Sequence, residues 1–204
     1  MRDQSSPPPT LLEISGAAYP AGRLADSIVV IVDAQRVYVD GRLFLPGVNA
    51  ALAEIARLLA RARAAGTPVI HVVQHGRSGG AICDPNGPDI AIAEPASPLA
   101  GENVIIKRLP SSFAGTTLEE TLKRLGRTHL IVVGFMTHMC VSTTVRAALD
   151  HGYRCTVIAN ACATRDLPDG RGGIVPAAVV HRANLAALAD RFARVVETVG
   201  EIPD

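Results

Sequence analysis

The sequence contains no tryptophan, and its seven phenylalanines and tyrosines make up only 3% of the residues, so platforms for stacking bases are missing. Charge of one sign is missing too. Twenty basic residues against nineteen acidic ones leave a formal charge of +1, with no Lys/Arg run to follow a phosphate backbone. Nucleic acid is therefore not expected as a partner. The longest β-rich apolar run, Ile28 to Val32, falls far short of the ~20 residues a membrane span needs. The opening segment, Met1 to Gly16, has no apolar stretch like that of a secretory leader, so a soluble cytoplasmic protein with no membrane partner is expected. Cysteine is sparse: Cys83, Cys140, Cys155 and Cys162 show no CxxC spacing, which argues against a disulfide scaffold.

What is present is the composition of a globular chain, with 48% hydrophobic and 19% charged residues over 204 positions. That length suits one domain with a core large enough to need no staples. Residues 1–26, rich in Ser, Pro and Gly, read as an N-terminal arm that lies over the body or a neighbouring subunit. Residues 27–204 read as the domain.

Within the domain, strand and helix patterns alternate. Ser27–Val32 is a β-branched run of the kind buried on both faces of a parallel sheet. Residues 48–65 place Leu52, Ile55, Leu58 and Leu59 at helical spacing before Gly66. Strands follow at Pro68–Val73 and Asn103–Lys107, separated by a Gly/Pro loop from Gly76 to Gly101. Thr116–Glu119 has a capping-box pattern that opens a helix closing at Gly126. Then come a strand at Thr128–Val133, a helix at Cys140–His151, a strand at Arg154–Ala159, a helix opening at Pro176 and a last strand around Phe192–Thr198. The expected fold is α/β, a three-layer α/β/α sandwich with a six-stranded, mostly parallel, doubly wound sheet.

In such sheets ligands bind beyond the carboxyl ends of the strands. Asp33 follows the first strand, Lys107 ends the third, and Cys140 comes a short turn after the fourth. An acid, a cation and a thiol thus share one rim. A free cysteine is most commonly a small buried hydrophobe, but one at a helix N-terminus beside a lysine is held towards its thiolate. A carboxylate nearby is placed to take the thiol proton. Lysine is rare here, only Lys107 and Lys123 among the twenty basic residues, yet one closes an apolar strand.

These residues carry a resemblance. Ile131-Val-Val-Gly-Phe-Met-Thr-His-Met-Cys-Val-Ser-Thr-Thr144, with Asp33-Ala-Gln35 after the first strand and Lys107-Arg-Leu-Pro-Ser-Ser-Phe113 after the third, is similar to the isochorismatase-like cysteine hydrolase superfamily. The similarity covers roughly residues 27–198. It implies Cys140 as nucleophile, Asp33 as general base and Lys107 as the support of both. It also implies a cis peptide at Phe135–Met136 that aims the backbone N–H groups of Met136 and Cys140 at one point as an oxyanion hole. The activity implied is cleavage of a small amide or carbamoyl compound through a thioester.

Nicotinamidases of that superfamily carry an Asp-x-His metal motif, whereas Asp33-Ala-Gln35 has no histidine. His71 and His75 sit on a strand and its exit, which suits core packing or substrate contact better than metal. No metal and no cofactor are therefore expected. Gln35, Tyr38, His75, Phe113, Phe135 and His138 are candidate substrate-binding residues, and a homo-oligomer, dimer or tetramer, is expected from the relatives. Two other readings stay open: vinyl-ether hydrolysis of the isochorismatase type, driven by the aspartic acid, and a redox-sensing thiol. Nucleotide binding has no support, since neither GxGxxG nor a Walker loop occurs.

Overall fold

The computed structural model describes residues 7–204; the first six residues of the expected arm lie outside that range. Six parallel strands form the main sheet in the spatial order β3-β2-β1-β4-β5-β8. They are β1 (Ser27–Val32), β2 (Val69–Gln74), β3 (Asn103–Lys107), β4 (His129–Phe135), β5 (Arg154–Ala163) and β8 (Arg194–Val196). β1 and β4 are neighbours in space but the chain winds outward from β1 in one direction and from β4 in the other, so their shared edge is the switch point of the sheet.

Every residue of β1 is buried, as a strand covered on both faces requires. Val29 and Ile31 face a core made with α2 (Val48–Ala64), to which Leu52, Ile55, Leu58 and Leu59 contribute. Ile28, Val30 and Val32 face the other core, made with α3 (Leu118–Leu125), α4 (Ser142–Asp150) and α5 (Ala177–Arg191). The layers are therefore helix, sheet, helix.

Several boundaries move from their expected places. The expected capping box at Thr116–Glu119 does not form: Thr116 Oγ1 accepts from the Leu118 N–H at 3.2 Å, while Glu119 turns outward to Lys123 and His151. The helix expected from Cys140 begins at Ser142, after a wide π-type turn over Thr137–Val141. The last strand is only Arg194–Val196, because Phe192 still caps α5. β5 runs on to Ala163, and a short antiparallel pair, β6 (Leu167–Pro168) with β7 (Ile174–Val175), stands apart from the main sheet.

The described part of the arm is tied to the body. Thr10 and Glu13 form a capping box on the short α1 (Leu11–Ile14), the Leu11 N–H donates to Asp190 on α5 at 2.9 Å, and the Tyr19 hydroxyl donates to the Cys155 carbonyl at 3.2 Å. Among the described residues, no helix is long and apolar enough to cross a membrane.

Candidate active site

Asp33 leaves β1 at the switch point with its N–H donating to the Val72 carbonyl at 2.8 Å and its backbone in the left-handed region, φ 51°. That turn directs the carboxylate along the sheet rim, where none of it reaches solvent. Lys107 ends β3, which is not a neighbour of β1. With β2 between them and strands spaced about 4.8 Å apart, the gap is roughly 10 Å, which only a long side chain spans. Lys107 is buried along its whole length, and its Nζ reaches 2.8 Å from Asp33 Oδ2.

The same ammonium donates to Gln74 Oε1 at 2.6 Å and to Cys140 Sγ at 3.2 Å. An ammonium has three protons, and here three acceptors from β1, β2 and the turn after β4 meet it. Cys140 is the fourth residue of the Thr137–Val141 turn and is 5% exposed. The Phe135–Met136 peptide leading into that turn is cis, and the Met136 carbonyl accepts from the N–H groups of Met139 and Val141. Gly134 lets β4 come close enough to β1 for this to happen. Its φ is +118°, and a Cβ there would stand 2.0 Å from the Val32 carbonyl oxygen.

Cys140 opens onto a cavity of about 210 Å³. Tyr38, Leu43, Ile82, Met136 and Met139 give it mostly apolar walls, and Gln74, Cys83 and Arg108 complete them.

The isochorismatase domain profile matches residues 27–199, the stretch that holds all three converging side chains. The chain belongs to the isochorismatase family. It is 38% identical over 174 residues to a secreted isochorismatase effector of Verticillium dahliae, covering 85% of this chain and 88% of that one. It is 36% identical over 177 residues to a streptothricin hydrolase of Streptomyces noursei, with 86% and 69% covered. It is also 33% identical over 135 residues to a maleamate amidohydrolase of Pseudomonas putida, with 59% and 62% covered. A crystal structure of a Pseudomonas putida isochorismatase superposes with a TM-score of 0.91 at 47% identity, covering 95% of this chain and 99% of that one. This chain is thus an isochorismatase-family hydrolase.

Burial sets the electrostatics of this family member's rim. It pushes the Asp33 carboxyl above its ordinary range, against the opposing pull of Lys107 and of the Cys140 thiol. It also pushes the Cys140 thiol up to about 12, with Asp33 adding to the rise and Lys107 opposing it. The sequence pointed to a helix N-terminus that would hold the thiolate. Cys140 does lie near the start of the helical run that opens with the π-type turn and continues as α4, but desolvation outweighs the neighbouring cation, so the thiolate is not favoured. Cys140 therefore rests as a thiol. Neither Asp33 oxygen has a conventional hydrogen-bond partner; Oδ2 meets Lys107 Nζ as an ion pair.

Of the six candidate substrate-binding residues, Tyr38 lines the cavity and the others do not. The Gln35 amide is consumed by backbone: Nε2 donates to the Ile90 carbonyl at 2.7 Å and Oε1 accepts from the Gln74 N–H at 2.8 Å. It braces the loop over the site without facing it. Phe135 is fully buried edge-on to Tyr38, with ring centroids 5.8 Å apart, so it supports the wall from behind. Phe113 stacks on His151 at 4.6 Å, against the α3 and α4 side of the sheet. His75 is held by its N–H on the Lys107 carbonyl at 2.9 Å. His138 meets Thr164 Oγ1 at 2.6 Å, away from the thiol.

His71 pairs with Glu102 at 2.9 Å inside the sheet, and among the described residues no group of three or more His, Cys, Asp or Glu side chains is arranged to hold a metal ion. Gln74, Cys83, Arg108 and Met139 are cavity residues that sequence reasoning passed over. Gln74 was the most findable, being the last residue of a strand between two chemistry-bearing ones.

Proposed function

We propose that the protein is a metal-independent cysteine hydrolase that cleaves the C–N bond of a small amide or carbamoyl compound, with Asp33, Lys107 and Cys140 as its catalytic residues. The observation that carries this reading is the buried contact of Lys107 Nζ with both Asp33 Oδ2 and Cys140 Sγ, the sulfur that lines the cavity.

Asp33 takes the thiol proton as sulfur attacks the carbonyl carbon, so charge moves from carboxylate to substrate without a free thiolate being populated. Lys107 keeps the carboxylate and sulfur in register throughout. The tetrahedral oxyanion is received by the backbone N–H groups of Met136 and Cys140, beside the cis peptide. Collapse breaks the C–N bond, and the departing nitrogen takes the proton from Asp33. Water then attacks the thioester, Asp33 accepts its proton, and cleavage of the C–S bond returns Cys140 and releases the acid.

The reading includes action in the cytoplasm as a homo-oligomer. All four cysteines are free and buried, which suits a reducing compartment. Val104 and Ile106, exposed along the edge strand β3, and Leu99 in the loop before it are apolar surface that assembly would cover. Sedimentation showing only monomer at micromolar concentration refutes the oligomer.

One observation favours a second reading, acid-catalysed opening of a vinyl ether: the upward push on the Asp33 carboxyl is what a proton donor needs. The two readings part at Cys140. Ammonia release from a panel of small amides and ureides, lost in Cys140→Ala, supports the thiol hydrolase. Isochorismate turnover that survives Cys140→Ala, with no amide hydrolysed, replaces it. A thiol pushed up to about 12 holds little thiolate for peroxide, which weighs against a redox sensor.

A further inference from the structure

A second cavity, of about 550 Å³, shares no wall residue with the one over Cys140, yet two of its lining side chains hold the turn that carries the thiol. His181, in the second turn of α5, meets Thr137 Oγ1 through Nδ1 at 2.9 Å. Thr164, just past the end of β5, meets His138 Nδ1 at 2.6 Å. The first two residues of the turn are therefore tied by their side chains to two different elements, a helix and a strand end. Thr137 is wholly shut from solvent, and among the described residues His181 is the only partner of its hydroxyl. A buried hydroxyl without a partner is costly, so that bond fixes where Thr137 sits.

Thr137 follows Met136, whose two backbone groups are used differently. The carbonyl accepts from the N–H groups of Met139 and Val141, inside the turn, whereas the Met136 N–H meets no acceptor among the described residues. That N–H is the donor that the proposed mechanism aims at the oxyanion. Its direction is set by the residues on either side: Phe135, buried at the end of β4, and Thr137, held by His181. Burial keeps the His181 ring below its ordinary pKa, against an opposing pull from Glu197, so the partner of Thr137 at neutral pH is an uncharged group. His181 makes no hydrogen bond to Asp33, Lys107 or Cys140, and it reaches the reaction only through Thr137.

We propose that His181 is a positioning residue: through Thr137 it holds the Met136 N–H where the oxyanion of the tetrahedral intermediate forms. The proposal rests on the reading of the site as a thiol hydrolase. With an amide that the wild-type protein hydrolyses, His181→Ala should lower kcat about tenfold to a hundredfold and change KM less than about twofold, since the donor acts on the transition state. Alkylation of Cys140 by iodoacetamide displaces iodide at carbon and forms no oxyanion, so its rate should be the same in both proteins. Thr137→Val should match His181→Ala, and the double variant should be no worse than either, because the two changes break one bond. His181→Asn places an amide atom where Nδ1 stood and should restore most of kcat. His181→Gln places it where Nε2 stood and should not.

An unchanged kcat in His181→Ala overturns the proposal. So does an alkylation rate that falls in step with kcat, which would mean that the sulfur itself has moved, or a rescue by Gln as good as that by Asn. Should His181→Ala not fold, Thr137→Val carries the same comparison. Where no amide is hydrolysed, NMR titration with isotopically labelled propanal decides: the Cys140 sulfur adds to the carbonyl carbon, the thiol proton passes to the oxygen, and that oxygen occupies the oxyanion position. An adduct about tenfold weaker in His181→Ala supports the proposal, and equal adducts refute it. No adduct in the wild-type protein removes the hydrolase reading and the proposal with it.

Discussion

Replacing Lys107 by Met tests whether the buried cation is what holds the site together. Methionine has nearly the same length and no branch, so packing along β3 is kept while the charge is removed. The Asp33 carboxylate is then left wholly buried with neither oxygen compensated. Removing one partner of a buried ion pair costs about 3–5 kcal/mol. For a chain of 150–250 residues each kcal/mol moves Tm by roughly 2–4 °C, so a fall of about 6–20 °C is expected at pH 7.

The loss depends on pH in a definite direction. Without Lys107 the folded-state pKa of Asp33 rises further above its unfolded value, so between the two values the folded protein binds more protons, and stability drops as pH rises through that window. Lys107→Met should therefore differ less from wild type near pH 4 than at pH 7. Asp33→Asn in the same chain should restore about 2 kcal/mol or more at pH 7, since no buried charge remains. Urea denaturation of wild type, Lys107→Met, Asp33→Asn and the double variant at both pH values measures this cycle. Wild-type stability in Lys107→Met, or a deficit unchanged by pH, refutes the reasoning.

Three further outcomes are expected. Gly134→Ala forces a methyl group into the Val32 carbonyl and should cost about 2–4 kcal/mol by denaturant melt with loss of turnover; a fully active, equally stable variant contradicts the close β1–β4 approach. Glu102 is pushed up by burial, but hydrogen bonds from Arg63, the Leu99 N–H and His71 outweigh this and hold it at about 2, so the stability it contributes is present above its ordinary pKa and lost as pH falls towards 2. After screening by solvent this amounts to about 1–2 kcal/mol, so Glu102→Gln should be less stable than wild type at pH 7 and equal to it near pH 2, by thermal melts. In kcat/KM the acid limb should lie above the ordinary aspartate range, with no tenfold-per-unit climb towards the thiol value of about 12; such a climb up to pH 10 would mean that hydroxide, not Asp33, makes the nucleophile.

The three proposed catalytic positions were legible because each closes or follows an apolar strand in chain order, and an α/β sheet gathers those ends on one rim. Their contact was not legible. It depends on β2 lying between β1 and β3, and on a lysine long enough to cross it, which makes Lys107 the one residue whose type follows from the topology. Gln35 showed a polar side chain beside Asp33, but sequence carries no sign that backbone groups of Gln74 and Ile90 would consume its amide. Cys83 and Ile82 belong to the long loop between β2 and β3, which has no periodicity to reveal what it folds against. The raised thiol was not legible for a related reason: depth of burial is a property of how the turn over Thr137–Val141 packs, which the residue pattern does not show.

The most direct measurement is the covalent state of Cys140 during turnover. The protein is mixed with a small amide that it hydrolyses, quenched in acid within the first turnovers, and digested for mass spectrometry. The result expected is an acyl adduct on the Cys140 peptide alone, removed by hydroxylamine as the hydroxamate and absent from Cys140→Ala, which is also inactive. Hydrolysis that continues in Cys140→Ala with no adduct on any cysteine would contradict the thiol mechanism.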